Sequence, residues 1–179
     1  MMHRWLDAPP DTTPDYVHST LRERIVEHLF IAGALQRLWQ LGLRDVEVLR
    51  AEFDAGGYDL VMSVGSMVRY IQFKTTTDNG KAASTKIGLK LMNKPSGCVL
   101  WIIVNSGLEP QSYLWFGGLP GEALPDISSL KVARHSKANV AGVKAERPGH
   151  RVVPRSRFDK LGNLDDVLQR LFGPLVQAR

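Results

Sequence analysis

The sequence predicts an α/β fold, a mixed β-sheet flanked by helices. Three observations predict it. A stretch from Leu21 to Leu41 carries apolar residues at helical spacing, two β-branched runs flank Gly65-Ser66, and an uninterrupted apolar run extends from Cys98 to Val104. A chain of 179 residues suffices for one core. The expected organisation is therefore a Pro- and Asp-rich arm or tail over 1–18, with Trp5 as its anchor on the domain or on a partner subunit, and a single domain over 19–179.

The elements follow in order. Ser19 or Thr20 is placed to cap the first helix, Glu23 stands near the capping-box position, and Gly42 suits its end. Ile31, Ala34 and Leu38 form its apolar stripe. Val46 to Arg50 reads as a strand. Tyr58 to Val64 and Met67 to Lys74 read as the arms of a hairpin, since a two-residue Gly-X loop favours a type II′ turn. Thr75 to Gly80 is a polar loop. From 82 to 92 two readings stand: Ile87, Leu89 and Leu91 alternate as in a strand, while Ala83, Ile87 and Leu91 fit a helix. Pro95-Ser96-Gly97 is a turn, Cys98–Val104 a buried strand, and Tyr113–Phe116 a further strand whose aromatics suit a core or dimer contact. Asn163 caps a last helix, Leu164 to Phe172, with Asp165 and Asp166 in its first turn, where the helix dipole favours acids.

Composition excludes several classes. Hydrophobic residues make up 44%, which is ordinary for a globular chain. No run approaches the ~20 apolar residues of a membrane span, so no membrane partner is expected. Met1 to Pro10 lacks the apolar stretch of a secretion signal. Cys98 is the single cysteine, read as a buried thiol, and a reducing cytoplasm fits it. The five histidines show no zinc spacing. No phosphate-binding loop or nucleophile elbow occurs, so no nucleotide cofactor is expected.

The hairpin brings chemistry together. Its turn sets Val64 opposite Met67, and counting outward sets Asp59 opposite Gln72; Gln72 and Lys74 share a face. A carboxylate, an amide oxygen and an ammonium at one end of one face are the parts of a divalent-metal hydrolytic site. The same residues also read as a solvated strand end with a weak Asp–Lys pair. Glu27 falls on the stripe of Ile31, Ala34 and Leu38, where a carboxylate is costly unless it binds metal or pairs with an arginine such as Arg24. Asp54 reads as a support for this cluster or, more simply, as a turn carboxylate beside Gly56-Gly57.

A helix with an inward Glu, a strand, and an Asp-bearing hairpin closing in Gln-x-Lys resembles the PD-(D/E)XK nuclease superfamily, the restriction-endonuclease-like enzymes, over roughly residues 20–105. The matching residues are Glu27, Asp59, Gln72 and Lys74; Tyr58 stands where the family has Pro, and Gln72 where Glu is commoner. The resemblance implies a restriction-endonuclease-like core and a metal-dependent endonuclease acting on DNA. It implies Mg²⁺, with Mn²⁺ as a substitute, held by Glu27, Asp59, Gln72 and the backbone carbonyl of Phe73, with Lys74 orienting the attacking water. An all-oxygen donor set suits Mg²⁺. With an amide in place of one carboxylate, a single tightly held ion is expected. Defence against foreign DNA, repair and junction resolution are all compatible with it.

The net charge of +5 is unevenly placed. Lys131, Arg134, Lys137, Lys144, Arg147, Arg151, Arg155 and Arg157 lie in an interval whose only acidic residue is Glu146, with His135 and His150 as further phosphate donors. Such a concentration is the footprint of polyanion binding, although a solvated basic face is the plain alternative. Gly142, Pro148, Gly149 and Pro154 predict that 131–157 is an extended basic loop following a nucleic-acid backbone. Two other function classes stand beside the nuclease: a catalytically inactive copy of the fold used for nucleic-acid binding or assembly, and an unrelated α/β interaction protein. One site per chain cuts two strands by pairing, so a homodimer is expected.

Overall fold

The computed structural model describes residues 18–53, 56–135, 142 and 144–175. The expected arm, apart from His18, lies outside the described residues, as do Asp54 and Lys137. The first helix, α1, runs Ser19–Gln40, and strands β1 (Val46–Arg50), β2 (Leu60–Val64) and β3 (Met67–Thr77) follow. Next come β4 (Ser84–Gly88), a 3₁₀ turn (Leu89–Asn93), β5 (Gly97–Val104) and β6 (Pro110–Gly117). The chain closes with β7 (Val132–Arg134), β8 (Glu146–Pro154), a 3₁₀ turn (Arg155–Arg157), β9 (Asp159–Leu161) and α2 (Leu164–Phe172).

The helix starts earlier than its capping residues predict. His18 is the N-cap, without a side-chain cap bond, and Ser19 and Thr20 lie in the first turn. The C-terminus follows expectation. Gly42 takes φ +78°, its N–H donates to the Trp39 carbonyl at 3.0 Å, and that of Leu43 donates to Leu38 at 3.0 Å. This is a Schellman closure, which needs a left-handed residue after the helix.

The hairpin has the predicted register. Val64 pairs with Met67 and Leu60 with Ile71, in antiparallel order. Gly65 has φ +56° while Ser66 has no positive φ, as a type II′ turn requires. β5 is buried at all eight residues and takes a central place, as its unbroken apolar run demands. There the Cys98 thiol is pushed up to about 12 by burial, so it is an inert core group. Tyr113, Trp115 and Phe116 are buried core residues.

Two sheets form. The larger has order β1-β2-β3-β5-β6-β9, and its parallel pair is β3–β5; the smaller has order β4-β8-β7, all antiparallel. A parallel neighbour requires a crossover. The crossover from β3 to β5 carries β4 and the first 3₁₀ turn, which answers the question left at 82–92: a strand, then a tight turn. The large sheet is covered on both faces. Against one, Val26, Phe30, Ala34 and Leu38 of α1 and Val167, Leu168 and Leu171 of α2 pack on Leu60, Met62, Ile71 and Leu100. Against the other, Ile87 and Leu91 from the crossover and Val153 of β8 pack on Val99, Trp101 and Leu114.

The basic stretch is not the predicted loop. Its described residues supply two of the three strands of the second sheet, β7 and β8, and then the turn Arg155–Arg157. Pro148 and Gly149 fit because the β7–β8 register jumps there, from Val132 opposite Arg151 to Ala133 opposite Arg147. A bulge leaves a residue outside the ladder, so a missing N–H does no harm. Pro154 is the last residue of its strand.

Candidate metal and phosphate site

Asp59 directly precedes β2. Its backbone N–H donates to the Ile71 carbonyl at 2.9 Å, and its Oδ2 accepts from the Phe73 N–H at 2.7 Å. The carboxylate is thus pinned to the strand that carries Gln72 and Lys74. Leu60, Ile71 and Phe73 belong to the helix-side core, so the alternation of the strands turns Asp59, Gln72 and Lys74 to the opposite face. Phe73 meets Phe30 edge-on at 5.3 Å, locking β3 against α1.

Gln72 is 7% exposed, and its Oε1 is buried without a hydrogen-bond partner. Leaving such an acceptor unmade costs about 1–3 kcal/mol. The same side chain lines a cavity of about 400 Å³ with Asp59 and Lys74 on one wall. The other wall is Ser84, Thr85 and Lys86 of β4 and Arg147 and His150 of β8. Arg147 Nη2 lies 3.2 Å from His150 Nε2.

Glu27 is 5% exposed and faces inward as its stripe predicts. Both of its oxygens are engaged: Arg24 Nη1 donates to Oε2 at 3.0 Å, and Arg50 Nε donates to Oε1 at 3.1 Å, with Arg50 Nη2 on the same oxygen. The arginine partner is therefore present, and in double. Glu27 nevertheless lines one cavity, of about 180 Å³, with Asp59, Phe73 and Lys74. Of the metal-ligand residues the sequence names, the structure brings Asp59 and Gln72 to one cavity and Asp59, Phe73 and Glu27 to the adjoining one.

The sequence reading took Glu23 for a capping-box residue and missed its place at the site. This exposed carboxylate lines the Glu27 cavity and also a third one, of about 240 Å³, shared with Lys74 and Trp101. It stands one turn before Glu27, so the i, i+4 rule that placed Glu27 could have found it. Ser84, Thr85 and Lys86 were also missed, because nothing local shows that β4 folds back over β3.

The basic residues divide by what they touch. Arg147 lines the large cavity. Arg151 donates to the carbonyls of Ser128, Pro148 and His150, tying down the bulge, and Arg155 lies 5.7 Å above the Trp101 ring. Arg134 pairs with Glu146 at 3.8 Å on the surface, and Lys131, Lys144 and Arg157 are exposed.

Among the described residues no three His, Cys, Asp or Glu side chains gather at metal-binding distance. The oxygens gathered where a cation would sit are those of the Asp59 carboxylate, the orphaned Gln72 amide and the Phe73 carbonyl, with Glu27 and Glu23 behind them. The unpartnered Oε1 is where a hard divalent ion fits.

No family model matches this chain, and no curated protein matches it. Among solved structures it is similar to one described as "The structure of a bacterial homing endonuclease: I-Ssp6803I", at 20% identity and a TM-score of 0.33. The match covers 57% of this chain and 64% of that one, less than two thirds of its length. Among the described residues no helix is long and apolar enough to cross a membrane.

Proposed function

We propose that this chain is a metal-dependent endonuclease hydrolysing DNA phosphodiester bonds, with Asp59, Gln72, Lys74 and Glu27 as its catalytic residues. The observation that carries the reading is the buried, unpartnered Gln72 Oε1 in a cavity shared with Asp59 and Lys74. A bound Mg²⁺, or Mn²⁺ in its place, would supply Lewis-acid stabilisation of the phosphate and a more acidic water. Asp59 and Gln72 would hold it with the Phe73 carbonyl, and the Phe73 N–H keeps the Asp59 carboxylate turned to that position. Lys74 would orient the water for in-line attack on phosphorus and offset the charge that builds as the P–O bond breaks. Glu27, clasped by Arg24 and Arg50, would set the α1 wall of the cleft and orient that water through its neighbours.

The resemblance to the restriction-endonuclease-like enzymes supports DNA as the substrate. A catalytically inactive module remains the second reading, because Glu27 is held by arginines as a structural carboxylate would be. Plasmid and short-duplex cleavage with Mg²⁺, Mn²⁺ or EDTA decides between them. Metal-dependent cleavage lost in Lys74→Ala supports the enzyme; duplex binding without cleavage under every metal supports the module.

A second copy of the chain is the partner we propose, seated on the outward stripe of α1. Leu21, Ile25, Leu29, Leu35 and Trp39 lie on that side of the helix and are all exposed, Trp39 at 63%. A helix of 22 residues offers a strip about 33 Å long. Light scattering at micromolar concentration should give the dimer mass, and Leu29→Glu should give the monomer; a wild-type monomer would remove the proposal.

A further inference from the structure

The cleft has two walls of opposite character. On the large sheet stand Asp59 and Gln72, with Lys74 beside them. Across the cavity stand Lys86, Arg147 and His150, with no carboxylate among that wall's lining residues. The residues come from strands far apart in sequence, so the gathering is made by β4–β8 pairing, with Gly88 opposite His150. The ring lies close to the β4 backbone: a Cβ at Gly88 would be in ordinary contact with His150 Nε2 at 3.8 Å and with the Gly57 Cα at 3.6 Å. The ring is thereby seated at the foot of the Asp59 hairpin arm. Arg147 is half-buried and set beside that ring, whereas Arg151 and Arg155 are turned to backbone carbonyls and to Trp101, and the Lys86 ammonium donates to the Arg134 carbonyl at 2.5 Å, adding charge to the wall from a fixed position.

We infer that Arg147 and His150, backed by Lys86, form a phosphodiester clamp on the second sheet, gripping the nucleic-acid strand across the cleft from Asp59, Gln72 and Lys74. The inference rests on the nuclease reading for its substrate and assigns to β8 a contact made at the site itself. The fork of Arg147 suits two non-bridging phosphate oxygens, and the wall's excess of positive charge draws the backbone in. The strand therefore runs between the two sheets, its phosphate held from one side and attacked from the other. Of the basic residues in 131–157, Arg147 reads the strand at close quarters; exposed ones such as Lys131 and Lys144 act through the longer-range field.

The test is fluorescence anisotropy of a labelled 20-base-pair duplex titrated with the full chain in EDTA, at several salt concentrations. No metal and no cleavage enter, so the clamp and the nuclease reading fail separately. Arg147→Gln should weaken binding about tenfold and reduce the salt slope by about one, and His150→Gln should weaken it about threefold. Lys160→Gln, an exposed charge on β9, should stay within about twofold. Arg147→Lys, which keeps the charge but not the fork, should fall between wild type and Arg147→Gln, and it carries the test if Arg147→Gln unfolds. Arg147→Gln and Arg147→Lys both binding like wild type with unchanged salt slopes would overturn the clamp, even if the chain proves to be a nuclease. So would a wild-type chain that does not bind duplex at low salt.

Discussion

Arg69 and Gln72 sit three residues apart on β3, both buried, and face opposite sides of the large sheet. On the helix side, Arg69 is 0% exposed, and burial lowers its pKa. Its Nε donates to the Leu171 carbonyl at 2.6 Å, and its Nη2 to Arg170 at 2.7 Å and Gly118 at 3.1 Å. Its guanidinium lies over Trp115 at 5.3 Å. It thus takes up the last carbonyls of α2, where a helix end otherwise leaves acceptors unmet. On the other side, Gln72 keeps an acceptor with no donor. The difference teaches how to read this molecule: a buried polar group whose bonds are made to the protein is architecture, and one left open toward a cavity is where a ligand is to be tested for. Arg69 also tempers the rule, since its Nη1 makes no hydrogen bond yet faces no cavity described for Gln72.

Four substitutions break or sharpen that comparison. The largest effect belongs to Lys74→Ala, which should lower metal-dependent cleavage about a thousandfold while duplex binding in EDTA changes by less than about threefold. Gel-resolved single-turnover cleavage reads the first, anisotropy the second; retained cleavage would remove Lys74 from the chemistry. Arg69→Leu comes next and acts on stability. Three carbonyls lose their donor, so unfolding should become easier by about 3 kcal/mol, seen as a clear drop in the chemical-denaturation midpoint. A midpoint near wild type would mean that water replaces the guanidinium. Gln72→Leu should move the other way in the absence of metal. Removing an unmet acceptor should raise stability by about 1 kcal/mol, and the stabilisation that Mn²⁺ gives the wild type should vanish. If Mn²⁺ stabilises both proteins equally, Gln72 is not a ligand.

The smallest effect is expected at the contact between the helices. Arg37 donates through Nε to Asp165 Oδ1 at 2.7 Å and through Nη2 to Oδ2 at 2.8 Å. These bonds hold the Asp165 carboxyl below its usual range. A depressed carboxylate pKa contributes stability above the unfolded-state value and loses it as pH falls through the folded one. Asp165→Asn should therefore lower the melting temperature slightly at neutral pH and not at all in strong acid, where wild type and variant converge. The pair is exposed, so a large shift would show that it does more than join two surfaces.

The hairpin was legible because its determinants are local. A two-residue turn fixes its register, and a fixed register places Asp59 opposite Gln72 without any knowledge of the rest. Glu27 was legible as inward, and Arg24 as its partner one turn away, but Arg50 was not, since it reaches Glu27 from β1 across the fold. The second sheet was not legible at all. β4 meets β8 through pairs such as Ser84 with Pro154, and no local pattern announces a partner that distant. Pro148, Gly149 and Pro154 read as loop residues because their ladder positions, a bulge and a strand end, exist only once β7 and β4 have docked.

The crossover from β3 to β5 leaves the strand that carries Lys74 and returns to pair with it, and on the way it lays down β4. β3 and β4, one on each wall of the cleft, are thus consecutive in the chain, with β8 completing the second wall from far along the sequence, and are joined through the short segment between Thr77 and Ser84. Its close is tight: the Gly80 N–H meets the Thr77 carbonyl at 2.8 Å, and a Cβ at Gly80 would strike Thr76 Cγ2 at 2.4 Å. The length of that segment limits how far β4 can stand from β3. Insertions there would relax that limit while leaving the side chains on both walls unchanged.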